Sequence, residues 1–192
     1  MEFLITGLIL FLGIHSVRLV GLRGPMMAML GAGPYAIVYS LISAIGLALI
    51  VYGHILAHPS EVLWAPPEWT RTLALFAIPV SIILVVAAYL PGHIRSFLRH
   101  PMTLGVLIWA GVHLAANGSL ASMILFGSFA AWAFLTLVSA YIRGGSFASA
   151  GQWWADIASV AVGLGLAALV AWFHMDLFGV AVFEFAPDPM AP

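Results

Sequence analysis

Two histidines, His15 and His113, lie inside long apolar segments of this chain. Ionisable side chains at such positions face a bundle interior and are functional-site candidates. If the first segment extends to Gly21, His15 lies about 10–13 Å from one membrane surface. His113 lies about 17–20 Å from that same surface. Two opposed imidazoles at comparable depth can ligate one haem iron between helices. Spacing alone permits this ligand pair but favours cofactor-free interhelical hydrogen bonding, with a proton relay as a further alternative.

The residues around the two histidines suit a flat apolar ring. Gly105, Trp109 and His113 form an i, i+4 row on one helix face, and the glycine lets a macrocycle approach the backbone. Arg18 follows His15 by three residues, about one helical turn nearer the surface. Because arginine pairs well with carboxylates, Arg18 is predicted to hold a haem propionate.

A second group of histidines lies near a span end. His54 and His58 form an i, i+4 pair, a spacing that can chelate a metal, and Glu61 follows. His174 is expected on the same side of the membrane and could add a ligand. The favoured interpretation is a polar helix end before Pro59, with a second metal site as the alternative.

Composition restricts the elements that can position these residues. Of 192 residues, 64% are hydrophobic and only 7% are charged, and the chain contains no lysine and no cysteine. Soluble domains carry about 25% charged residues, so a soluble globular protein is excluded. A net charge of −1 excludes a basic nucleic-acid binder. Residues 1–192 are predicted to form one all-α, polytopic transmembrane bundle in contact with the lipid bilayer.

Six apolar segments are long enough, or nearly so, to cross the bilayer. A retained first helix is expected, since the N-terminus lacks the basic region of a cleavable signal. Residues 179–192 are expected to form a tail on the outer face. Gly7, Gly163 and Gly165 are candidates for helix packing. The predicted spans are Glu2–Gly21, Pro34–Ala57, Thr70–Leu90, Met102–Ala116, Ser119–Ile142 and Trp154–Phe178.

Arginine positions predict the orientation. Cytoplasmic connections are enriched in basic residues, and five of the six arginines flank the odd-numbered connections. Those connections are therefore predicted to be cytoplasmic, with both termini on the non-cytoplasmic side. The five are Arg18, Arg23, Arg95, Arg99 and Arg143, whereas Arg71 lies on the other side.

Three segments resemble the NnrU family: GIHSVR at 13–18, RHPMTLG at 99–105 and WAGVHLAANG at 109–118. The family is associated with bacterial denitrification and includes the plant and cyanobacterial 15-cis-zeta-carotene isomerase, which uses histidine-ligated haem b. The resemblance implies haem b as cofactor. The histidines of the first and third matching segments are His15 and His113. The arginine-histidine-proline motif at 99–101 also resembles that of membrane methyltransferases. Those enzymes hold S-adenosylmethionine with acidic residues after the following span. Here the first acidic residue after the fifth span is Asp156, which argues against binding of this cofactor.

The resemblance implies a multi-pass haem b protein of the bacterial inner membrane. Its expected role is redox-regulated isomerisation of an apolar, polyene-like small molecule. A non-enzymatic haem or nitric oxide sensor, or an assembly subunit linked to denitrification, is the alternative, and a cofactor-free structural subunit is the third. The sequence specifies neither a protein partner nor an oligomeric state.

The predicted orientation is tested with an accessibility tag fused to the C-terminus. Because both termini are expected outside, a membrane-impermeant reagent should label the tag on intact spheroplasts. A tag on the third connection should be labelled only after the membrane is opened. Labelling with the reverse pattern would contradict the orientation.

Overall fold

The computed structural model describes residues 1–144, 150–180 and 182. Its regular structure in these residues is helical apart from one isolated β-bridge between Val62 and Ser119. The predicted all-α class is confirmed. The helices are α1 (Glu2–Ser16), α2 (Arg23–Leu30), α3 (Ala32–Leu56), α4 (Glu68–Ala87), α5 (His93–Leu98), α6 (Pro101–Ala116), α7 (Leu120–Ile142) and α8 (Trp153–Phe178).

Four of these helices, α3, α4, α7 and α8, are long and apolar enough to cross a membrane. The chain is therefore a polytopic helical membrane protein. Helices α1 and α6 are also apolar but have only 15 and 16 residues, so each spans about 22–24 Å of a hydrocarbon core about 30 Å thick. Each of the six predicted spans corresponds to one of these six helices.

The first span is shorter than expected. Helix α1 ends at Ser16 rather than Gly21, and turns occupy the residues up to Leu22. His15 consequently lies in the last turn of α1, not well inside it. The tail expected at 179–192 falls largely outside the described residues.

Glycine contacts hold α1 against α3. A Cβ on Gly53 would lie 2.2 Å from the backbone nitrogen of Leu4, and one on Gly7 would lie 2.6 Å from that of Ile50. Small residues at helix interfaces in lipid allow this close backbone approach. Gly163 packs in the same way on Ile83 of α4, whereas a Cβ on Gly165 would meet nothing within 4 Å. The packing role is confirmed for Gly7 and Gly163 but not for Gly165.

The remaining packing divides the bundle into two groups. Helices α1 and α3 form one group, and in the other α4 packs on α6 and α8 while α6 packs on α7. Helix α7 also contacts α1 and α3, and so joins the groups. Aromatic rings mediate this junction: Phe11 of α1 and Trp109 of α6 each contact Phe129 of α7, at centroid distances of 5.7 and 5.3 Å.

Backbone hydrogen bonds join the second and fourth connections at one end of the bundle. Leu63 N donates to the Gly118 carbonyl at 2.8 Å, and Leu120 N donates to the Glu61 carbonyl at 2.8 Å. The third connection lies at the other end, where Asp156 of α8 accepts hydrogen bonds from His93 N and Ile94 N. This carboxylate caps α5 and anchors it to the start of α8.

The glycine contact between α1 and α3 predicts an unequal response to two matched substitutions. Gly53→Ala should lower the free energy of unfolding by about 1–3 kcal/mol, because the new methyl group meets backbone atoms that only a helix shift can move. Gly165→Ala should be neutral or slightly stabilising, since alanine is the better helix former by about 1 kcal/mol. Thermal unfolding of both variants in the same detergent measures the difference. Equal melting temperatures would refute this packing.

Candidate functional site

A cavity of about 520 Å³ lies where α1, α3, α6 and α7 meet. Its lining combines basic and hydroxyl-bearing side chains with aromatic and aliphatic walls, and no acidic side chain is among the described residues that form it. The charged and titratable lining residues are His15, Arg18, Arg23, Tyr35, Tyr39, His100 and Arg143. We call the end of the bundle where Arg18, Arg23 and Arg143 gather the arginine end.

Three separate connections supply these basic residues. Arg18 lies in the turns after α1, and Arg23 is the first residue of α2. His100 is the N-cap of α6, with Pro101 in the first turn, where its missing N–H costs nothing. Arg143 is the C-cap of α7. The connections that follow α1, precede α6 and follow α7 therefore meet at one end of the bundle.

The orientation of His15 determines which ring nitrogen is available. Its Nδ1 lies 2.6 Å from the Phe11 carbonyl oxygen. A carbonyl can only accept, so Nδ1 carries the hydrogen and Nε2 keeps a lone pair. The ring also stacks on Phe11 at 4.2 Å and lies 5.1 Å from the Tyr39 ring. His15 is thus held as a ligand is in many metal sites, with its second nitrogen bonded to a backbone carbonyl.

Burial and positive neighbours disfavour the charged form of His100. Partial burial, followed by the Arg18, Arg143 and Arg99 guanidinium groups, holds the pKa of this imidazole below its usual value. At neutral pH its ring is uncharged and one nitrogen retains a lone pair. The cavity therefore contains two neutral imidazoles beside three guanidinium groups.

The positive charge of the cavity is not balanced by protein carboxylates. Within the part of the chain that the structure describes, no acidic side chain forms an ion pair with Arg18, Arg23 or Arg143. Such a charge distribution favours a ligand that carries acidic groups.

His113 lies elsewhere, although its local geometry repeats that of His15. Its Nδ1 is 2.9 Å from the Trp109 carbonyl oxygen, and its ring stacks on Phe126 at 4.6 Å. It follows His100 by thirteen residues on α6, about 20 Å along the axis, and is not among the residues that line the cavity. The expectation of comparable depth depended on a first span reaching Gly21, and the structure does not bring His15 and His113 together.

The row from Gly105 to His113 serves helix packing. Gly105 faces α4, where its carbonyl accepts from Ser81 Oγ at 2.8 Å and a Cβ would lie 2.7 Å from the Ser81 carbonyl oxygen. Trp109 packs against Phe126 and Phe129 of α7. Of the five predicted cofactor residues, the cavity collects His15 and Arg18, whereas Gly105, Trp109 and His113 lie outside its lining.

The second histidine group shows contacts typical of a helix end. His54 Nε2 lies 3.3 Å from Ser122 Oγ, and His58 Nδ1 donates to the His54 carbonyl at 2.8 Å. His174 Nδ1 donates to the Val180 carbonyl at 2.7 Å. Among the described residues, no group of three or more histidine or acidic side chains is placed to hold a metal ion.

Sequence reasoning predicted two of the cavity residues, His15 and Arg18, as site residues. In the sequence, His100 was noted only as part of the arginine-histidine-proline motif, and Arg143 only for the orientation of the chain. Trp132 and Thr136 carried no signal, because an aromatic and a hydroxyl residue in an apolar span are ordinary core residues. The one available signal was the placement of Arg18, Arg23 and Arg143 on the same predicted side.

Residues 3–182 match the family described as NnrU protein. The match covers nearly the whole chain and includes every histidine. No curated protein and no solved structure matches the chain.

The electrostatics of the cavity predict a shift in the titration of His100. Arg18→Ala removes a positive charge near the imidazole, so the pKa of His100 should rise toward its usual value. Arg95→Ala, which changes an arginine outside the cavity lining, is the control and should leave this pKa unchanged. Histidine NMR signals followed through a pH titration measure both. An unaltered His100 pKa in Arg18→Ala would contradict the described arrangement.

Proposed function

The chain belongs to the NnrU family, and on that premise we propose that it is an integral membrane haem b protein of the bacterial inner membrane. The haem would occupy the cavity at the arginine end, with His15 Nε2 as an axial ligand. One observation carries this proposal: a cavity that combines a carbonyl-oriented imidazole with three arginines and no acid.

The donor set fits the chemistry of haem b. A volume of about 520 Å³ lies within the range of about 300–1,000 Å³ typical of small-molecule and cofactor pockets. Ile14, Leu19 and Met27 supply apolar walls, and Tyr39 supplies an aromatic one. The arginines of the lining match the negative charge of the haem propionates. Neutral histidine is a common axial ligand of haem iron.

We infer that His100 is the second residue that would hold the haem iron. It lines the same cavity as His15 and is neutral at physiological pH. The pair predicted from the sequence, His15 with His113, combines a residue of the cavity lining with one outside it. The two pairs make different predictions for single-histidine variants.

When bound, the haem iron supplies one-electron redox chemistry. The protein's own residues then have three roles. The Phe11 carbonyl holds His15 in one tautomer, the arginines neutralise the propionates, and the bilayer-facing helices limit water access. We propose as the enzymatic role the redox-regulated isomerisation of an apolar, polyene-like molecule. The non-enzymatic alternative is a haem or nitric oxide sensor, or an assembly subunit in denitrification. Turnover of an isomerisable polyene by the haem-loaded protein separates the two.

Absorption spectra of the purified protein, oxidised and dithionite-reduced, test haem binding. The wild-type protein should show a Soret band and, when reduced, sharp α and β bands. His15→Ala should abolish or shift these bands, because it removes the proposed ligand. His100→Ala should do the same. The control His58→Ala changes a histidine outside the cavity and should retain the wild-type spectrum.

Three outcomes would change this proposal. A spectrum altered in His113→Ala but not in His100→Ala would favour the ligand pair predicted from the sequence. Wild-type spectra in both His15→Ala and His100→Ala would move the haem away from the cavity. A colourless wild-type protein that fails to take up added haem would leave the cofactor-free structural subunit as the function.

A further inference from the structure

Two polar atoms on α7 are buried without a hydrogen-bond partner. They are Trp132 Nε1 and Thr136 Oγ1, and they are the two such side-chain atoms found among the described residues. Buried polar groups in proteins are almost always paired, so each exception requires an explanation. Both residues line the cavity at the arginine end. A group bound in this cavity is therefore positioned to supply the missing acceptor.

The chemistry of the two side chains restricts that acceptor. The indole Nε1–H can only donate, and the threonine hydroxyl can donate at the same time. The residues are four apart on α7, so their side chains lie on one helix face, one turn from each other. A carboxylate offers two oxygens with several lone pairs and can accept from both.

The charge of the cavity favours an anionic acceptor over a neutral one. Arg18, Arg23 and Arg143 line the cavity, and no acidic side chain of the described ranges joins them there. A hydrogen bond to an ionised acceptor is about twice as strong as one between neutral groups. Both considerations select a carboxylate rather than a carbonyl or a hydroxyl as the partner of Trp132 and Thr136.

The donor pair lies deeper in the bundle than the arginines. Thr136 precedes Arg143, the C-cap of α7, by seven residues, about 10 Å along the helix axis. Ala140 lies between them on the cavity lining, where its small side chain leaves room. At the deeper level the Trp132 ring meets the His15 ring edge-on, with centroids 6.0 Å apart. The cavity therefore presents two separate levels of donors to a ligand.

We propose that Trp132 and Thr136 form a subsite that binds one carboxylate of the cavity ligand, while the arginines bind a second. This inference rests on the proposed haem site and specifies how the protein recognises its ligand. The protein would select an amphiphilic molecule of porphyrin size that carries two carboxylates. Loss of the inner carboxylate contact would weaken binding even with every arginine present.

Metal-free protoporphyrin IX tests this subsite separately from iron ligation. Its binding to the full-length protein in nanodiscs is followed by porphyrin fluorescence, with empty nanodiscs as the blank. The dimethyl ester of the same porphyrin lacks ionised carboxylates and serves as the second probe. The test variant is Trp132→Phe with Thr136→Val, which removes both donors while keeping an aromatic and a β-branched side chain. The matched control, Trp172→Phe with Thr72→Val, makes the same exchanges at exposed positions.

The double variant should bind protoporphyrin IX at least about tenfold more weakly than the wild type, since two hydrogen bonds to a charged group are lost. Its affinity for the dimethyl ester should stay within about twofold of the wild type, which also shows that the cavity remains folded. The control variant should match the wild type with both probes.

The other possible results separate a failure of the subsite from a failure of the proposed haem site. Equal protoporphyrin IX affinity in the double variant and the wild type would overturn the subsite and leave the proposed haem site in place. Equal loss of acid and ester binding would also overturn it, since the residues would then act through shape. A wild-type protein that binds neither porphyrin nor haem would overturn the proposed function, and the subsite with it.

Discussion

The interior of a bilayer contains no water that could hydrogen-bond to polar groups. Buried polar atoms of a membrane protein must therefore find their hydrogen-bond partners within the protein. Several side chains satisfy it locally by bonding to the carbonyl four residues earlier. His15 bonds to Phe11 and His113 to Trp109, and Ser16, Ser43 and Ser159 follow the same pattern. Against this background, unpaired donors are informative. Within the described residues they occur at Trp132 and Thr136, and both line the cavity.

Glycine contacts explain why space remains for a cavity. Gly7, Gly46 and Gly53 bring the backbones of α1 and α3 together, and Gly105 does the same for α6 against α4. Each helix thus packs most closely on a partner within its own group. The junction between the groups is made by larger aromatic side chains, which hold α1 and α6 apart. The cavity opens along this junction, at the end where the arginine-bearing connections meet.

Charge then distinguishes the two ends of the bundle. At the end formed by the second and fourth connections, backbone hydrogen bonds between residues 60–64 and 118–121 close the structure. At the arginine end, the guanidinium groups line a cavity to which the part of the chain that the structure describes contributes no acidic side chain. An uncompensated group of cations beside a low-dielectric interior has a high affinity for anions. This asymmetry gives the molecule one chemically distinctive site, although histidines are present at both ends.

The sequence by itself determined the class, the helices and the grouping of the connections. Composition and segment length require a helical bundle in lipid, because a chain with 7% charged residues cannot cover a soluble surface. The side shared by Arg18, Arg23 and Arg143 followed from counting spans. The lining of the cavity did not follow, because it draws on residues of several elements that lie far apart along the chain. Only the tertiary structure, with α1 ending at Ser16, placed His15 beside His100 and the arginines and left His113 among the rings of α7.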